Sequence, residues 1–275
     1  MTADQQLAIG GMAARVRRVG QGSPVLVLHG WGASIEAMGL ITEELARGGH
    51  EAIAVDFPGH GKSEAPPEAW HVSDFHEWLM RVMDELGVGR ADVVAHSFGC
   101  RVSIKMAAET PERVGRLLLT GAAGLPPRRT RGQKARLQLA AVGKRVKSAM
   151  GDGALSRWLE SRWVHHVASA DYRAASGVMR ATLVHIVGED LTEHLQRIAA
   201  PVLLVWGSED RDTPLSSGQA MARLIAGAEL VVLEGGGHFA YAEQFAKFRL
   251  HMNRFLRAGG ATAGGGATGG GATAG

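Results

Sequence analysis

Cysteine is almost absent from this sequence, which has one, Cys100, among 275 residues. A single thiol excludes an internal disulfide and leaves no cysteine pair for a structural zinc site. The N-terminal stretch lacks the basic segment and following apolar segment that mark a secretory signal. No apolar run approaches the roughly 20 residues that a membrane-spanning helix needs. These absences predict a cytoplasmic protein with no membrane span.

An excess of charge is lacking too, since 30 basic residues are nearly balanced by 27 acidic ones. The resulting net charge of +3 gives no electrostatic case for nucleic-acid binding. The histidines show no metal-binding spacing such as HExxH, and no glycine-rich nucleotide motif follows a predicted strand. We therefore expect no metal, no cofactor and a small-molecule substrate as the partner. No pattern indicates an oligomeric state.

Short apolar runs alternate with helical patterns in residues 1–121 and again in residues 201–257. The predicted strands are Val25–Leu28, Ala52–Val55, Asp92–Ala95, Leu117–Thr120, Val202–Trp206 and Leu230–Leu233. The predicted helices are Ile35–Arg47, Val72–Leu86, Phe98–Glu109, Gly218–Ile225 and Ala240–Leu256. This alternation predicts an α/β fold in which helices cover a mostly parallel sheet. The two stretches together form one core.

Two further segments depart from this pattern. Residues 122–200 contain helical stretches and no convincing strand, which predicts a helical cap over one end of the sheet and a pocket beneath it. Basic residues outnumber acidic ones there. They could steer an anionic substrate or touch an acidic membrane, although a solvated helix face is the favoured interpretation. Residues 258–275, built from glycine, alanine and threonine, predict a disordered tail.

A serine stands where a predicted strand meets a predicted helix, in the segment Ala95-His96-Ser97-Phe98-Gly99. Small residues two positions before and after the serine let neighbouring backbones pass closely, so that its hydroxyl is held clear of the sheet. The usual pattern is Gly-x-Ser-x-Gly, and Ala95 tolerates a positive φ less well than glycine. The alternative is a packing turn with an incidental serine.

A nucleophilic serine needs a base and a third group that orients the base. Asp210 follows the predicted strand Val202–Trp206, and Glu209 and Asp212 compete with it for the role. His238 follows the predicted strand Leu230–Leu233, behind three consecutive glycines. The chain order of serine, acid and base is the one expected for a strand–turn–helix nucleophile. The sequence thus predicts a catalytic triad of Ser97, His238 and Asp210.

Such a reaction also needs N–H donors for the oxyanion that develops on the substrate. The backbone N–H of Phe98, directly after the serine, is one candidate. The N–H of Trp31 is the second, because it follows the predicted strand Val25–Leu28. The Trp31 indole could pack in the wall of the pocket at the same time.

These segments together resemble the α/β-hydrolase superfamily over roughly residues 12–257. His29-Gly30-Trp31 is similar to its oxyanion loop, and the segment from Asp56 to Ser63 resembles its Asp-x-x-Gly-x-Gly-x-Ser turn. The segments around Ser97, Asp210 and His238 match its nucleophile, acid and base positions. The resemblance implies an α/β-hydrolase fold with a helical cap.

The resemblance also implies an activity. We expect a serine hydrolase that cleaves an ester or related acyl bond of a small, apolar molecule through an acyl-enzyme. Serine at position 97 argues against dehalogenases and epoxide hydrolases, which have an aspartate there. Carbon–carbon bond hydrolases, perhydrolases and acyltransferases that use the same triad stay open as alternatives. So does a ligand-binding receptor with little turnover.

Overall fold

The computed structural model describes residues 2–126 and 170–257, and their centre is an eight-stranded sheet. The strands are β1 (Thr2–Ile9), β2 (Met12–Gly20), β3 (Ser23–Leu28), β4 (His50–Val55), β5 (Ala91–His96), β6 (Val114–Thr120), β7 (Val202–Gly207) and β8 (Glu229–Leu233). Their order across the sheet is β1-β2-β4-β3-β5-β6-β7-β8. The strands from β3 to β8 are parallel, and β1 and β2 join antiparallel at one edge. This confirms the predicted mostly parallel sheet.

Helices cover both faces of the sheet. They are α1 (Gly39–Arg47), α2 (Val72–Glu85), α3 (Phe98–Glu109), α4 (Ala170–Ala174), α5 (Gly177–Gly188), α6 (Thr192–Arg197), α7 (Leu215–Leu224), α8 (Ala240–Glu243) and α9 (Phe245–Arg257). Two short 3₁₀ turns, Ile35–Met38 and Pro111–Arg113, precede α1 and β6. None of the helices within residues 2–126 and 170–257 is long and apolar enough to cross a membrane.

Each face of the sheet has its own apolar layer, because successive side chains of a strand point to opposite faces. In β3, Leu26 and Leu28 belong to the layer that contains α2 and α3. Val25 and Val27 belong to the layer that contains α1 and α9. All four side chains are essentially without solvent exposure. The sequence of a strand that is buried on both faces is a continuous apolar run. For this reason the parallel strands could be predicted from the sequence.

The hairpin of β1 and β2 was not predicted. Its turn is formed by Gly10 and Gly11, whose φ angles of 59° and 84° suit a two-residue hairpin loop. The three arginines of β2 interrupt its apolar pattern, and each pairs with a carboxylate: Arg15, Arg17 and Arg18. β2 lies between β1 and β4, and its paired arginines hide the apolar alternation that a sequence pattern would detect.

The chain between β6 and β7 is the region of the predicted cap. Residues 127–169 of it lie outside the described residues, and so does the predicted tail at 258–275. The described portion contains α4, α5 and α6. The domain boundaries at 121 and 201 stay predictions. β6 and β7 are direct neighbours in the sheet, with Leu117 opposite Val202.

Candidate active site

Ser97 occupies a sharp turn between β5 and α3. Its φ of 49° makes it the only non-glycine residue with a positive φ in the described ranges. Such a conformation costs on the order of 1–3 kcal/mol and persists where the surroundings enforce it. Here the Ser97 N–H donates to Thr120 O at 3.1 Å, and the Cys100 N–H donates to Ser97 O at 3.1 Å. Ala95 keeps a negative φ, so its side chain is accommodated in place of the usual glycine.

Close backbone packing explains the glycine that follows the serine. A Cβ atom at Gly99 would lie 2.7 Å from Leu28 O and 2.8 Å from His29 O. Real Cβ atoms do not approach so closely, and α3 could not then reach the end of β3. Gly99 therefore lets the start of α3 lie against the loop that leaves β3.

The structure brings Ser97 and His238 together although they are 141 positions apart in the chain. The distance from His238 Nε2 to Ser97 Oγ is 3.0 Å. On the other side of the ring, His238 Nδ1 lies 2.9 Å from Asp210 Oδ2. A carboxylate accepts a hydrogen, so Nδ1 carries the proton and Nε2 is left to accept the serine hydroxyl. This arrangement is able to remove a proton from Ser97.

Asp210 is the carboxylate that meets His238, and Glu209 and Asp212 do not take this position. Its Oδ1 accepts the N–H groups of Asp212 and Thr213, each at 2.9 Å. Its Oδ2 also accepts the Thr213 hydroxyl at 2.8 Å. Burial would raise the pKa of Asp210, but the hydrogen bonds from His238 and Thr213 outweigh it and lower the pKa. The carboxylate is thus kept ionised beside the imidazole.

Thr213 was not singled out in the sequence. Its hydroxyl also lies 3.3 Å from His238 Nδ1, and its carbonyl accepts the Trp206 indole N–H at 2.7 Å. Trp206 is fully buried in β7. Thr213 therefore connects the loop after β7 to the sheet, and the same residue also holds the Asp210 carboxylate in its orientation.

A second positioning contact holds the loop of His238. The side chain of His96, at the end of β5, has its Nε2 3.1 Å from the main-chain oxygen of His238. The two rings are 4.8 Å apart between centroids. Burial lowers the pKa of His96 to about 3, so the ring is neutral and its Nε2–H donates to the carbonyl. This residue lay inside the serine motif, but no local signal marked its contact.

Glycines bring the acid and base loops together as well. A Cβ atom at Gly207 would lie 2.2 Å from the carbonyl oxygen of Gly236. The N–H of Glu209 donates to that same oxygen at 2.9 Å. The glycine run before His238 therefore allows the loops after β7 and β8 to pack backbone against backbone.

The loop with the second predicted oxyanion donor runs beside Ser97. A Cβ atom at Gly30 would lie 3.3 Å from Ser97 Cβ. The next residue, Trp31, packs its ring edge-to-face on Phe98, with centroids 5.5 Å apart. Both residues with predicted donor N–H groups thus border Ser97. Their role in stabilising an oxyanion stays a prediction.

The side chain of His29 holds the loop after β3 in place through two hydrogen bonds. Its Nε2 accepts the Phe57 N–H at 3.0 Å, so its Nδ1 carries the hydrogen and donates to Gly30 O at 2.7 Å. Burial is the largest cause that lowers the pKa of His29, to about 4. The neutral ring joins the loop after β3 to the turn after β4.

That turn begins at Asp56, whose carboxylate is fully buried. Asp56 Oδ1 accepts the Ile35 N–H at 2.7 Å, and Oδ2 accepts the Lys62 N–H at 2.9 Å. Arg15 lies 3.3 Å from Oδ2 and balances its charge. The turn presents Gly59 and His60 towards the edge of the sheet where Ser97 lies.

A cavity of about 270 Å³ adjoins these loops. Trp31 and His60 line it on the side of the sheet, and Asp171 and Met179 line it on the side of α4 and α5. Met179 covers the turn so closely that a Cβ atom at Gly59 would lie 2.3 Å from its sulfur. Among the aromatic and methionine residues of the predicted cap, Trp158 and Trp163 lie outside the described residues.

Cys100 and metal ions have no part in this arrangement as far as the described residues show. Cys100 is buried, its thiol donates to Ala95 O at 3.2 Å, and burial raises its pKa, as suits a packing residue. Among residues 2–126 and 170–257, no group of three or more histidine, cysteine, aspartate or glutamate residues could hold a metal ion.

Comparisons with known proteins agree with this architecture. The family model described as alpha/beta hydrolase fold matches residues 23–245. The 2-hydroxymuconate semialdehyde hydrolase of Pseudomonas sp. (strain CF600) is 28% identical over 94% of this chain and 95% of its own. The 2-hydroxy-6-oxononadienedioate/2-hydroxy-6-oxononatrienedioate hydrolase of Paraburkholderia phymatum is 30% identical over 90% of this chain and 92% of its own.

A solved structure shares the fold. The meta-cleavage product hydrolase of Pseudomonas fluorescens IP01 superposes with a TM-score of 0.70 at 23% identity. The match covers 92% of this chain and 97% of that one.

Proposed function

Because this chain is a hydrolase of the alpha/beta hydrolase family, we propose that Ser97 is its nucleophile and that it cleaves an ester or related acyl bond. One observation carries the proposal. Ser97 Oγ, His238 and Asp210 form an unbroken chain of hydrogen bonds at 3.0 and 2.9 Å. A small-molecule substrate suits the neighbouring cavity of about 270 Å³.

The first half of the reaction forms an acyl-enzyme. His238 Nε2 takes the proton of the Ser97 hydroxyl as Oγ bonds to the substrate's acyl carbon. Asp210 holds the ring in this orientation and stabilises the imidazolium that results. The proton then passes from His238 to the leaving group as its bond to the acyl carbon breaks.

In the second half, His238 takes a proton from water, whose oxygen attacks the acyl carbon. The Ser97–acyl bond breaks, the proton returns to Ser97 Oγ, and a carboxylic acid leaves. In both halves the N–H groups of Phe98 and Trp31 would stabilise the oxyanion. Loss of one such donor typically raises the barrier by about 2.7–4 kcal/mol.

The test is covalent labelling together with turnover. A fluorophosphonate probe should label Ser97, and the purified protein should hydrolyse p-nitrophenyl esters of short chain length. Ser97→Ala should abolish labelling and lower kcat by roughly 10⁴–10⁶-fold without unfolding the protein. The matched control is Ser103→Ala in α3, the helix that follows Ser97; the Ser103 hydroxyl donates to Gly99 O at 2.8 Å. Near-normal ester hydrolysis by folded Ser97→Ala would refute the proposal.

Carbon–carbon bond hydrolysis on the same triad is the second candidate, and the relatives favour it. The two relatives described above are named as hydrolases of 2-hydroxymuconate semialdehyde and of 2-hydroxy-6-oxononadienedioate or 2-hydroxy-6-oxononatrienedioate. A panel that sets p-nitrophenyl esters beside 2-hydroxy-6-oxo-dienoates separates the two candidates by their kcat/KM values. Product formation with an alcohol or peroxide acceptor would identify an acyltransferase or perhydrolase.

A receptor with little turnover is the alternative from another functional class. A complete triad argues against it, because ligand binding alone does not require an oriented base. Absence of fluorophosphonate labelling in the folded protein would favour the receptor.

A further inference from the structure

One wall of the cavity beside Ser97 has a property that the triad does not use. Asp171, in α4, lines the cavity opposite Trp31 and His60. Asp212 raises the pKa of its carboxyl group and His238 lowers it, so the charges of both residues act on Asp171. Asp171 therefore lines the cavity and is electrostatically linked to His238 of the triad.

The other described residues that line the cavity are uncharged. Trp31 and Met179 present apolar surfaces. His60 is buried, its Nδ1 contacts Pro58 O at 3.1 Å, and burial lowers its pKa, so the ring is neutral near pH 7. Glycine, alanine and serine complete the described lining. Among the described residues that line the cavity, Asp171 is thus the one with a formal charge.

A lone carboxylate at such a wall repels a second carboxylate. Asp171 is exposed at the cavity wall. For charges near a protein surface an effective dielectric constant of about 20 applies, so their interaction is stronger than in bulk water. Burial is the largest cause that raises the pKa of Asp171, and Asp212 raises it further, whereas His238 lowers it. The repulsion from Asp212 has the same sign as the repulsion expected for a substrate carboxylate.

From this geometry we propose that Asp171 is a specificity-determining residue, which makes the cavity accept uncharged or cationic acyl groups and reject acyl groups that end in a carboxylate. The inference rests on the proposed serine hydrolase activity and names its substrate class. It differs from the anionic substrate that the basic residues of 122–200 suggested. It also separates this chain from its relatives, whose named substrates include a dienedioate.

The experiment compares three p-nitrophenyl esters of similar length at pH 8 and low salt. They are the valerate, which is neutral, the glutarate monoester, which is anionic, and the 4-(trimethylammonio)butyrate, which is cationic. Wild type should hydrolyse the neutral and cationic esters with a kcat/KM about tenfold above that of the anionic ester, as one screened charge interaction predicts. Asp171→Asn, which keeps the shape and removes the charge, should erase most of this difference.

Glu193→Gln is the matched control, because it removes the same charge from an exposed position in α6 that does not line the cavity. It should retain the wild-type preference. Added salt at 0.5 M should narrow the preference in wild type and leave Asp171→Asn unchanged, since salt screens charge interactions. A merely structural role of Asp171 would alter all three esters equally.

Two results overturn the inference. If wild type hydrolyses the neutral and anionic esters equally well, or if Asp171→Asn keeps the wild-type preference, the charge of Asp171 does not select the substrate. The serine hydrolase proposal survives either result, because the neutral ester is still turned over. If no ester is hydrolysed and Ser97 is not labelled, the proposed function fails and this inference fails with it.

Discussion

His96 donates a hydrogen bond to the main-chain carbonyl of His238 across 3.1 Å, and so connects the residue before Ser97 to the loop of His238. Because His96 is bonded covalently to Ser97, this contact helps to hold Ser97 and His238 at their observed separation. We expect His96→Leu to lower kcat by about 10²-fold with little change in KM, as misplacement of a reacting group by about 1 Å does. Steady-state kinetics with a p-nitrophenyl ester measures both constants.

The conservative variant His96→Gln separates the hydrogen bond from the packing. Its amide N–H reaches about as far as the histidine Nε2–H, so it should restore most of kcat. Equal losses in the Leu and Gln variants, at equal thermal stability, would contradict the positioning role.

The Asp210 carboxylate depends on Thr213, whose hydroxyl donates to it at 2.8 Å. Asp210→Asn should lower kcat by about 10⁴-fold, because the base then loses the partner that selects its tautomer. Thr213→Val should lower kcat by about tenfold, since a hydrogen bond to a charged group is worth about 1.5–3 kcal/mol. Thr213→Ser keeps the hydroxyl and is the control. A Val variant as active as the Ser variant would show that the hydroxyl does not matter.

Buried neutral histidines make the stability of the fold depend on pH. Burial lowers the pKa of His29 to about 4 and that of His96 to about 3, whereas a histidine in the unfolded chain titrates near 6.5. Below pH 6.5 the unfolded chain binds protons that the native state does not. The stabilising contribution is therefore complete above pH 6.5 and decreases as the pH falls towards 4.

The size of this effect can be measured by urea unfolding at several pH values. Each of the two histidines should lower the free energy of unfolding by about 1 kcal/mol between pH 7.5 and pH 5.5. His96→Gln removes one titrating group and should flatten the dependence accordingly. An equal slope in the variant and in wild type would show that His96 is not kept neutral by the fold.

Ala95 and Gly99 lie two positions before and two positions after Ser97, and we expect substitutions at the two positions to have different effects on stability. A Cβ atom at Gly99 would lie 2.7 Å from Leu28 O, so Gly99→Ala should destabilise the protein by about 1–3 kcal/mol. It should also lower kcat, because the displaced backbone leads into the loop of Trp31. Ala95→Gly creates no such clash and should cost no more than about 1 kcal/mol. Thermal unfolding and ester kinetics of both variants check this, and equal behaviour would contradict it.

The central strands and the order of the site residues were predictable because parallel strands leave a strong local pattern. A strand buried on both faces, such as β7, is an uninterrupted apolar run. Parallel strands end at one edge of the sheet, so residues placed just after β5, β7 and β8 meet there. The position of Asp210 relative to His238 follows from this rule, and the structure selects it over Glu209 and Asp212.

The supporting contacts were not predictable for a physical reason. His96 binds a main-chain carbonyl 142 positions away, and every residue supplies such a carbonyl, so no residue type marks the partner. Thr213 acts through a hydroxyl whose geometry depends on the turn after β7. Asp171 faces the cavity because of the placement of α4, which periodicity alone does not give. Local patterns specify elements, whereas these contacts arise from packing.

The adjacency of β6 and β7 has a consequence for how such a protein diversifies. Residues 121–201 leave and return at neighbouring strands, and Leu117 still pairs with Val202. The pairing of β6 and β7 fixes both ends of this segment, so its length can change without altering the register of the sheet. Leu183, Leu191 and Leu195 within it pack in the apolar layer of α2 and α3, so an exchanged segment has to supply equivalent apolar contacts. Recombination at the same two junctions is a route to new specificities in the laboratory.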